Sequence, residues 1–232
     1  MIDLNIMIVG AARGIGKTLA ERCIERGHCV SVGLRRFGKD EQQMWESKSP
    51  GNVLALHTDA CDEETLKQAA KKTAETFGEI DVVVYNAGVL HDGDRVNELA
   101  DTDLQEMRSM IEVNAIGIIS CFRSAYPYIP RNGHGKFIAI TAGGGTFLAE
   151  DPIFPAYSVS KTAANKVVHI LKNQIKDVEI LAVHPGRVNT EMGRTTYQIE
   201  LDESIDGLQK IVENPNRAEG WFLEYTGETL PI

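Results

Sequence analysis

Residues 5–23 read NIMIVGAARGIGKTLAERC. The stretch opens apolar and β-branched, turns through glycines and closes on a helical pattern, so it predicts strand, tight turn and helix. Gly10, Gly14 and Gly16 give the spacing GxxxGxG. Physically, one glycine turns the chain sharply, one lets a ligand approach the backbone, and one lets helix pack on strand. A helix starting there offers free amides and a positive dipole end to a pyrophosphate. The stretch therefore predicts a dinucleotide-binding βα unit, with Gly10, Arg13, Gly14, Ile15 and Gly16 as candidate contacts.

The same alternation runs outward along the chain. Strands are expected at 4–9, 29–33, 53–57, 81–84, 136–140, 179–183 and 221–223, and helices at 14–26, 63–77, 102–125, 155–176 and 199–212. The strands IMIV, DVVVY, FIAI and ILAV are continuous apolar runs, which suits a parallel sheet covered on both faces. The expected fold is α/β: a doubly wound parallel sheet of about seven strands with helices on both faces, the Rossmann fold, as one domain over 1–232. Residues 38–50, GKDEQQMWESKSP, read as a polar surface connection, and about 190–215 as a substrate lid. Glu150 and Asp151 read as a solvated turn.

Composition bounds the function. The 232 residues are 43% hydrophobic and 25% charged, with a net charge of −9. That balance argues against a nucleic-acid or anionic-membrane surface. No apolar run approaches the roughly 20 residues that span a bilayer, and the N-terminus lacks a signal-peptide pattern, so a soluble cytoplasmic protein is expected. Cys23, Cys29, Cys61 and Cys121 are dispersed and read as free thiols. The six histidines show no metal-ligand spacing, and no metal is expected.

The end of the second strand, VSVGLRRF at 30–37, has no acid to accept from a ribose 2′-hydroxyl. It offers Arg35 and Arg36 instead, with Arg13 as a further cation, and guanidinium forks suit a phosphate monoester. NADP(H) is therefore expected over NAD(H). Asp59, followed by Ala60, ends the third strand where a carboxylate can accept from the adenine amino group.

Tyr157 and Lys161 stand one helical turn apart on one face. A phenol titrates near pH ~10. A lysine ammonium beside it favours the phenolate, the pairing that proton transfer to a reduced carbonyl requires.

Adding YNAG at 85–88, VNAIG at 113–117, YSVSK at 157–161 and HPGRVNT at 184–190, the chain resembles the short-chain dehydrogenase/reductase family along nearly its whole length. Its tail, WFLEYTGETLPI, and the stretch HPGRVNTEMG look most like the C-factor-like and carbonyl-reductase-like branch. The resemblance implies that Asn86, Ala87 and Gly88 line the adenosine side of the cofactor. It implies that Pro185, Gly186, Val188 and Thr190 embrace the nicotinamide and its pyrophosphate. Lys161 would also hold the nicotinamide ribose, and Asn114 would support a water chain to that lysine.

Three positions depart from the pattern. Val9 stands where the family has threonine, and Tyr85 replaces the first Asn of NNAG. Ala142 stands where the carbonyl-polarising serine belongs, in ITAGGGTF at 140–147. Losing such a donor costs about 10²–10³ in rate. Thr141 is the favoured substitute; Thr146, a backbone amide of the reshaped glycine loop, or no substitute are the alternatives.

The reading is an NADP(H)-dependent oxidoreductase moving hydride between nicotinamide and a small carbonyl or alcohol substrate. The alternative is a nucleotide-binding regulatory or signalling protein with weak or lost turnover. The apolar stretches IEVNAIGIISCF and ANKVVHIL suit a homodimer or homotetramer.

Overall fold

The computed structural model describes residues 3–148, 154–193 and 196–232. Glu150 and Asp151 lie outside them. Strands β1 (Asn5–Val9), β2 (Cys29–Leu34), β3 (Val53–His57), β4 (Val82–Tyr85), β5 (Lys136–Ile140), β6 (Glu179–His184) and β7 (Phe222–Glu224) form one sheet. Its order is β3-β2-β1-β4-β5-β6-β7, and every pairing is parallel. The chain winds outward from β1 to β3, then restarts beside β1 with β4. That reversal opens a crevice beyond the carboxyl ends of β1 and β4, where such sheets bind ligands.

Helices α1 (Gly14–Glu25), α2 (Lys39–Glu46), α3 (Glu63–Phe77), α4 (Leu104–Ile111), α5 (Gly117–Ala125), α6 (Pro155–Gln174) and α7 (Leu201–Glu213) cover both faces. Alternate strand residues enter two cores. Ile6, Ile8, Ile138 and Ile140 pack with Leu19 of α1 and Leu208 of α7. Met7, Val83, Phe137 and Ala139 pack with Leu66 of α3, Phe122 of α5 and Val168 of α6. The fold is the single-domain, doubly wound sheet expected from the strand patterns. Among the described residues, no helix is long and apolar enough to cross a membrane.

Three sequence expectations need correction. Residues 38–50 are not merely a polar excursion: they hold α2, whose Trp45 is 1% exposed and belongs to the first core. A single apolar pair, Met44 and Trp45, among polar residues gives little periodic signal, yet emptying a buried tryptophan site costs about 3–5 kcal/mol. The helix expected at 102–125 is interrupted by a π-helical segment, Glu112–Ile116, between α4 and α5. Such segments cluster at functional sites.

The hydroxyl of Tyr85 is buried and donates to the Val113 carbonyl inside this segment, at 2.5 Å. It occupies the space that a Cβ at Gly117 would need. Lastly, the stretch read as a lid narrows. Its second half is α7, with Ile205, Leu208, Ile211 and Val212 in the first core against α1. Among the described residues of that stretch, only Thr190–Gly193 and Thr196 border the cleft described next.

Candidate active site

One cleft of about 450 Å3 runs over the carboxyl ends of the strands. At one end it is bordered by Gly10, Arg13, Gly14, Ile15, Arg35, Asp59 and Ala60. Asn86, Ala87 and Gly88, from the loop after β4, and Pro185, Gly186, Val188 and Thr190, from the loop after β6, also line it. Thr141, Tyr157 and Lys161 border its other end. Gly16 and Asn114 are not among its lining residues; they support the wall from behind.

The glycine positions follow from close approach. Gly10 takes φ +87°, which favours glycine, and a Cβ there would stand 2.7 Å from the Ala87 amide. Gly16 leaves no space for a Cβ, because the Gly10 carbonyl and the Asn86 side chain press on it. Asn86 itself donates to the Gly10 carbonyl at 2.8 Å, so it ties β4 to the turn while bordering the cleft.

At the start of α1 the N-cap, Arg13, makes no side-chain capping bond, and no acid stands in the first turn. Free amides at an uncapped helix start, beside a turn that accepts close approach, form a site for an anion such as pyrophosphate. These residues therefore fit a dinucleotide. Arg13 is exposed and pairs with Glu191 across the cleft mouth. Arg35 is exposed directly after β2 and borders the cleft, whereas Arg36, also exposed, is not among the residues that line it. Asp59 accepts from the Cys61 amide at 2.9 Å, which closes a turn and aims that carboxylate.

At the other end Thr141 and Lys161 are buried and Tyr157 is half-buried. Lys161 is buried on α6, and its ammonium donates to the Ile140 carbonyl at 3.0 Å, 5.6 Å from the centre of the Tyr157 ring. Burial lowers Lys161 to about 8 and raises the Tyr157 phenol above its ordinary value. Asn114, inside the π-helical segment, accepts from the Val89 amide at 2.8 Å. Its amide group donates to the Val89 carbonyl at 3.0 Å and to Ser160 Oγ at 2.9 Å. It thereby joins the loop after β4 to α6.

The threonines divide clearly. Thr141 borders the cleft and is 2% exposed, and its buried hydroxyl finds no partner among the described residues. Thr146 donates to the Gly143 carbonyl at 3.0 Å, so its hydroxyl closes the glycine turn and does not face the cleft. Gly143–Gly145 form a short 3₁₀ turn rather than an open loop. Gly145 presses on the α6 backbone, and Asn165 of α6 donates to its carbonyl at 3.1 Å.

Sequence reading missed Phe154, Met192 and Ser158, all on the cleft wall, and His184, packed beneath Gly143. Ser158 beside Tyr157 is the one with a local signal, and its hydroxyl is engaged by the Gly144 carbonyl. The others are brought together only by the tertiary fold. Among the described residues no cluster of His, Cys, Asp or Glu has the arrangement of a metal site.

The profile of the short chain dehydrogenases matches residues 4–200. The short chain dehydrogenase gsfK of Penicillium aethiopicum is 27% identical over 249 residues, covering 97% of this chain and 98% of its own. Two solved structures share the fold. A putative short-chain dehydrogenase/reductase from Burkholderia multivorans with bound NADP gives a TM-score of 0.87 at 22% identity, covering 100% of both chains. The NADPH-bound carbonyl reductase from chicken fatty liver gives 0.84 at 22% identity, over 100% of this chain and 96% of that one. With its parallel sheet, glycine turn and Tyr157–Lys161 pair in one cleft, this chain belongs to the short-chain dehydrogenase family of NAD(P)-dependent oxidoreductases.

Proposed function

We propose that the protein is an NADPH-dependent reductase of small aldehydes or ketones, with Tyr157 as the acid. The observation that carries this reading is the continuity of the cleft, which joins the uncapped start of α1 to Tyr157, Lys161 and the unpartnered Thr141 hydroxyl. The cofactor, when bound, supplies the hydride. Gly10, Gly14 and Ile15 would hold its pyrophosphate, and Asp59 its adenine. Arg35 would hold a 2′-phosphate, and two structural neighbours carry NADPH or NADP.

The chain's own residues manage the proton. Burial keeps the Tyr157 phenol protonated near neutral pH, which is the form that donates to a developing alkoxide. Lys161 then favours the phenolate left behind, and being buried it does so in a dry, low-dielectric setting where one charge acts strongly on another. The Thr141 hydroxyl donates to the carbonyl oxygen in place of the absent serine. Asn114 holds α6 against the loop after β4, so that Lys161 keeps its place.

Calorimetry with NADPH and NADH, followed by NADPH oxidation against aldehydes and diketones, tests the reading. Tyr157→Phe is expected to lower turnover about 10²–10⁴-fold, and Thr141→Ala about 10²–10³-fold. Unchanged turnover in Tyr157→Phe would remove the acid. Tight NADPH binding with no turnover on any carbonyl would be the behaviour of a cofactor-sensing protein.

A further inference from the structure

Helix α6 begins with donors that need partners. Pro155 at its first position has no N–H, and the N-cap Phe154 offers no side-chain acceptor. The Ser158 amide reaches the Phe154 carbonyl at 2.8 Å. The two remaining first-turn amides belong to Ala156 and to Tyr157 itself. Both go to one carboxylate: Asp94 accepts from Ala156 N at 2.9 Å through Oδ1 and from Tyr157 N at 2.8 Å through Oδ2. Asp94 is 2% exposed. A buried carboxylate persists where bonds and field favour its charge, and here two amides and the positive end of α6 supply both.

Asp94 lies in the 3₁₀ turn Asp92–Arg95, and its neighbour in that turn reaches the opposite wall. Arg95 donates through Nη2 to the Met192 carbonyl at 2.7 Å and through Nε to Asp92 at 3.1 Å. Its guanidinium carbon stands 5.2 Å from the centre of the Phe154 ring. Phe154 in turn meets Tyr157 edge-on, with ring centres 6.5 Å apart. Phe154, Tyr157 and Met192 all border the cleft. One turn thus bonds to the start of α6 and to the loop after β6, both of which border the cleft.

We propose that Asp94 and Arg95 are a positioning pair for the substrate end of the cleft. Asp94 fixes the Tyr157 backbone, and through it the aim of the phenol. Arg95 fixes Phe154 and Met192, between which the carbonyl compound enters. This rests on the reading of Tyr157 as the acid.

The two residues act on different kinetic constants. Freeing the Tyr157 amide disturbs the phenol and leaves the cofactor end untouched, so Asp94→Ala lowers kcat about 10²-fold with KM for NADPH unchanged. Asp94→Asn retains one carbonyl acceptor and recovers about 10-fold of that loss. Arg95→Ala loosens the wall and raises KM for the carbonyl compound about 10-fold, with KM for NADPH unchanged.

The test is steady-state NADPH oxidation with benzil as the diketone, on the full chain carrying D94A, D94N, R95A or Y157F. Beside it stand NMR spectra of carbon-labelled tyrosine, in which Tyr157→Phe assigns the Tyr157 signal. The expected result is the split above, with the Tyr157 resonance displaced in both Asp94 variants. The proposal is overturned if folded Asp94 variants keep kcat within about twofold of the parent with the resonance unmoved, or if their loss is confined to KM for NADPH. Should Asp94→Ala fail to fold, Asp94→Asn decides on the same readouts. Full turnover in Tyr157→Phe would instead sink the acid assignment, and the resonance would still report whether Asp94 holds that residue.

Discussion

Two helices start at the cleft, and they start differently. Helix α1 leaves its first amides without a side-chain cap and without an acid in its first turn. Helix α6 has its free first-turn amides taken by a buried carboxylate from a distant turn. The amides are chemically alike, and only their partners differ. At α1 the chain keeps donors open at a wet mouth, where a ligand of opposite charge can use them. At α6 it closes them with a buried carboxylate, where a side chain must be held still.

The sharpest way to break this contrast is to give α1 the cap it lacks. Arg13→Asp places a carboxylate at the N-cap, whose backbone is already extended. Such a cap stabilises a helix by about 1 kcal/mol. It also consumes the amides a pyrophosphate would use and adds repulsion. The ion pair with Glu191 is exposed, and its loss matters little. Calorimetry should show NADPH affinity falling more than about 100-fold while the melting temperature holds or rises. Retained affinity would mean that the open amides of α1 are not the anion site.

A smaller effect is expected one strand away. Arg35→Ala removes a charged donor worth about 1.5–3 kcal/mol, so NADPH affinity should fall roughly 10–100-fold while NADH affinity stays put. Equal losses for both cofactors would leave Arg35 without a role in choosing between them.

The smallest effect concerns His184, packed beneath Gly143. Burial first, then the charges of Arg187 and Lys161, push the His184 imidazole down to about 4 from an ordinary 6.5. Above 6.5 neither state takes the proton, so His184 adds no pH dependence there. As pH falls from 6.5 towards 4 the unfolded chain binds a proton that the folded chain refuses, and stability drops. His184→Gln should flatten part of that acid slope. Thermal melts of both proteins near pH ~7 and pH ~5 would settle it, with equal losses counting against the assignment.

Much of this was legible in the sequence, for local reasons. A strand buried on both faces writes itself as an unbroken apolar run, and a glycine turn needs its glycines at fixed offsets. Tyr157 and Lys161 share a helix face because four residues make one turn. What stayed hidden depends on distance along the chain. Asp94 is an ordinary loop acid until the fold brings it 62 and 63 positions forward to α6. Trp45 and Met44 stand side by side among polar residues, and only the packing of α2 shows that the tryptophan is the one that is buried. The π-helical segment within 102–125 has no signature in apolar periodicity, because one inserted residue does not abolish the stripe. Between Thr141 and Thr146 the sequence left the question open. Which hydroxyl is already bonded is a property of three dimensions.

The junction of Tyr85 with Gly117 bears on how such a chain could have come to be. The phenol reaches the Val113 carbonyl through the space a methyl group at 117 would fill, so the two positions are sterically coupled. A lineage can acquire glycine first and tyrosine second. In the opposite order it must pass through an intermediate whose π-helical turn, and the Asn114 it carries, is displaced. Steric exclusion at two positions outside the cleft lining thus sets the order in which the two substitutions can be made without displacing that turn.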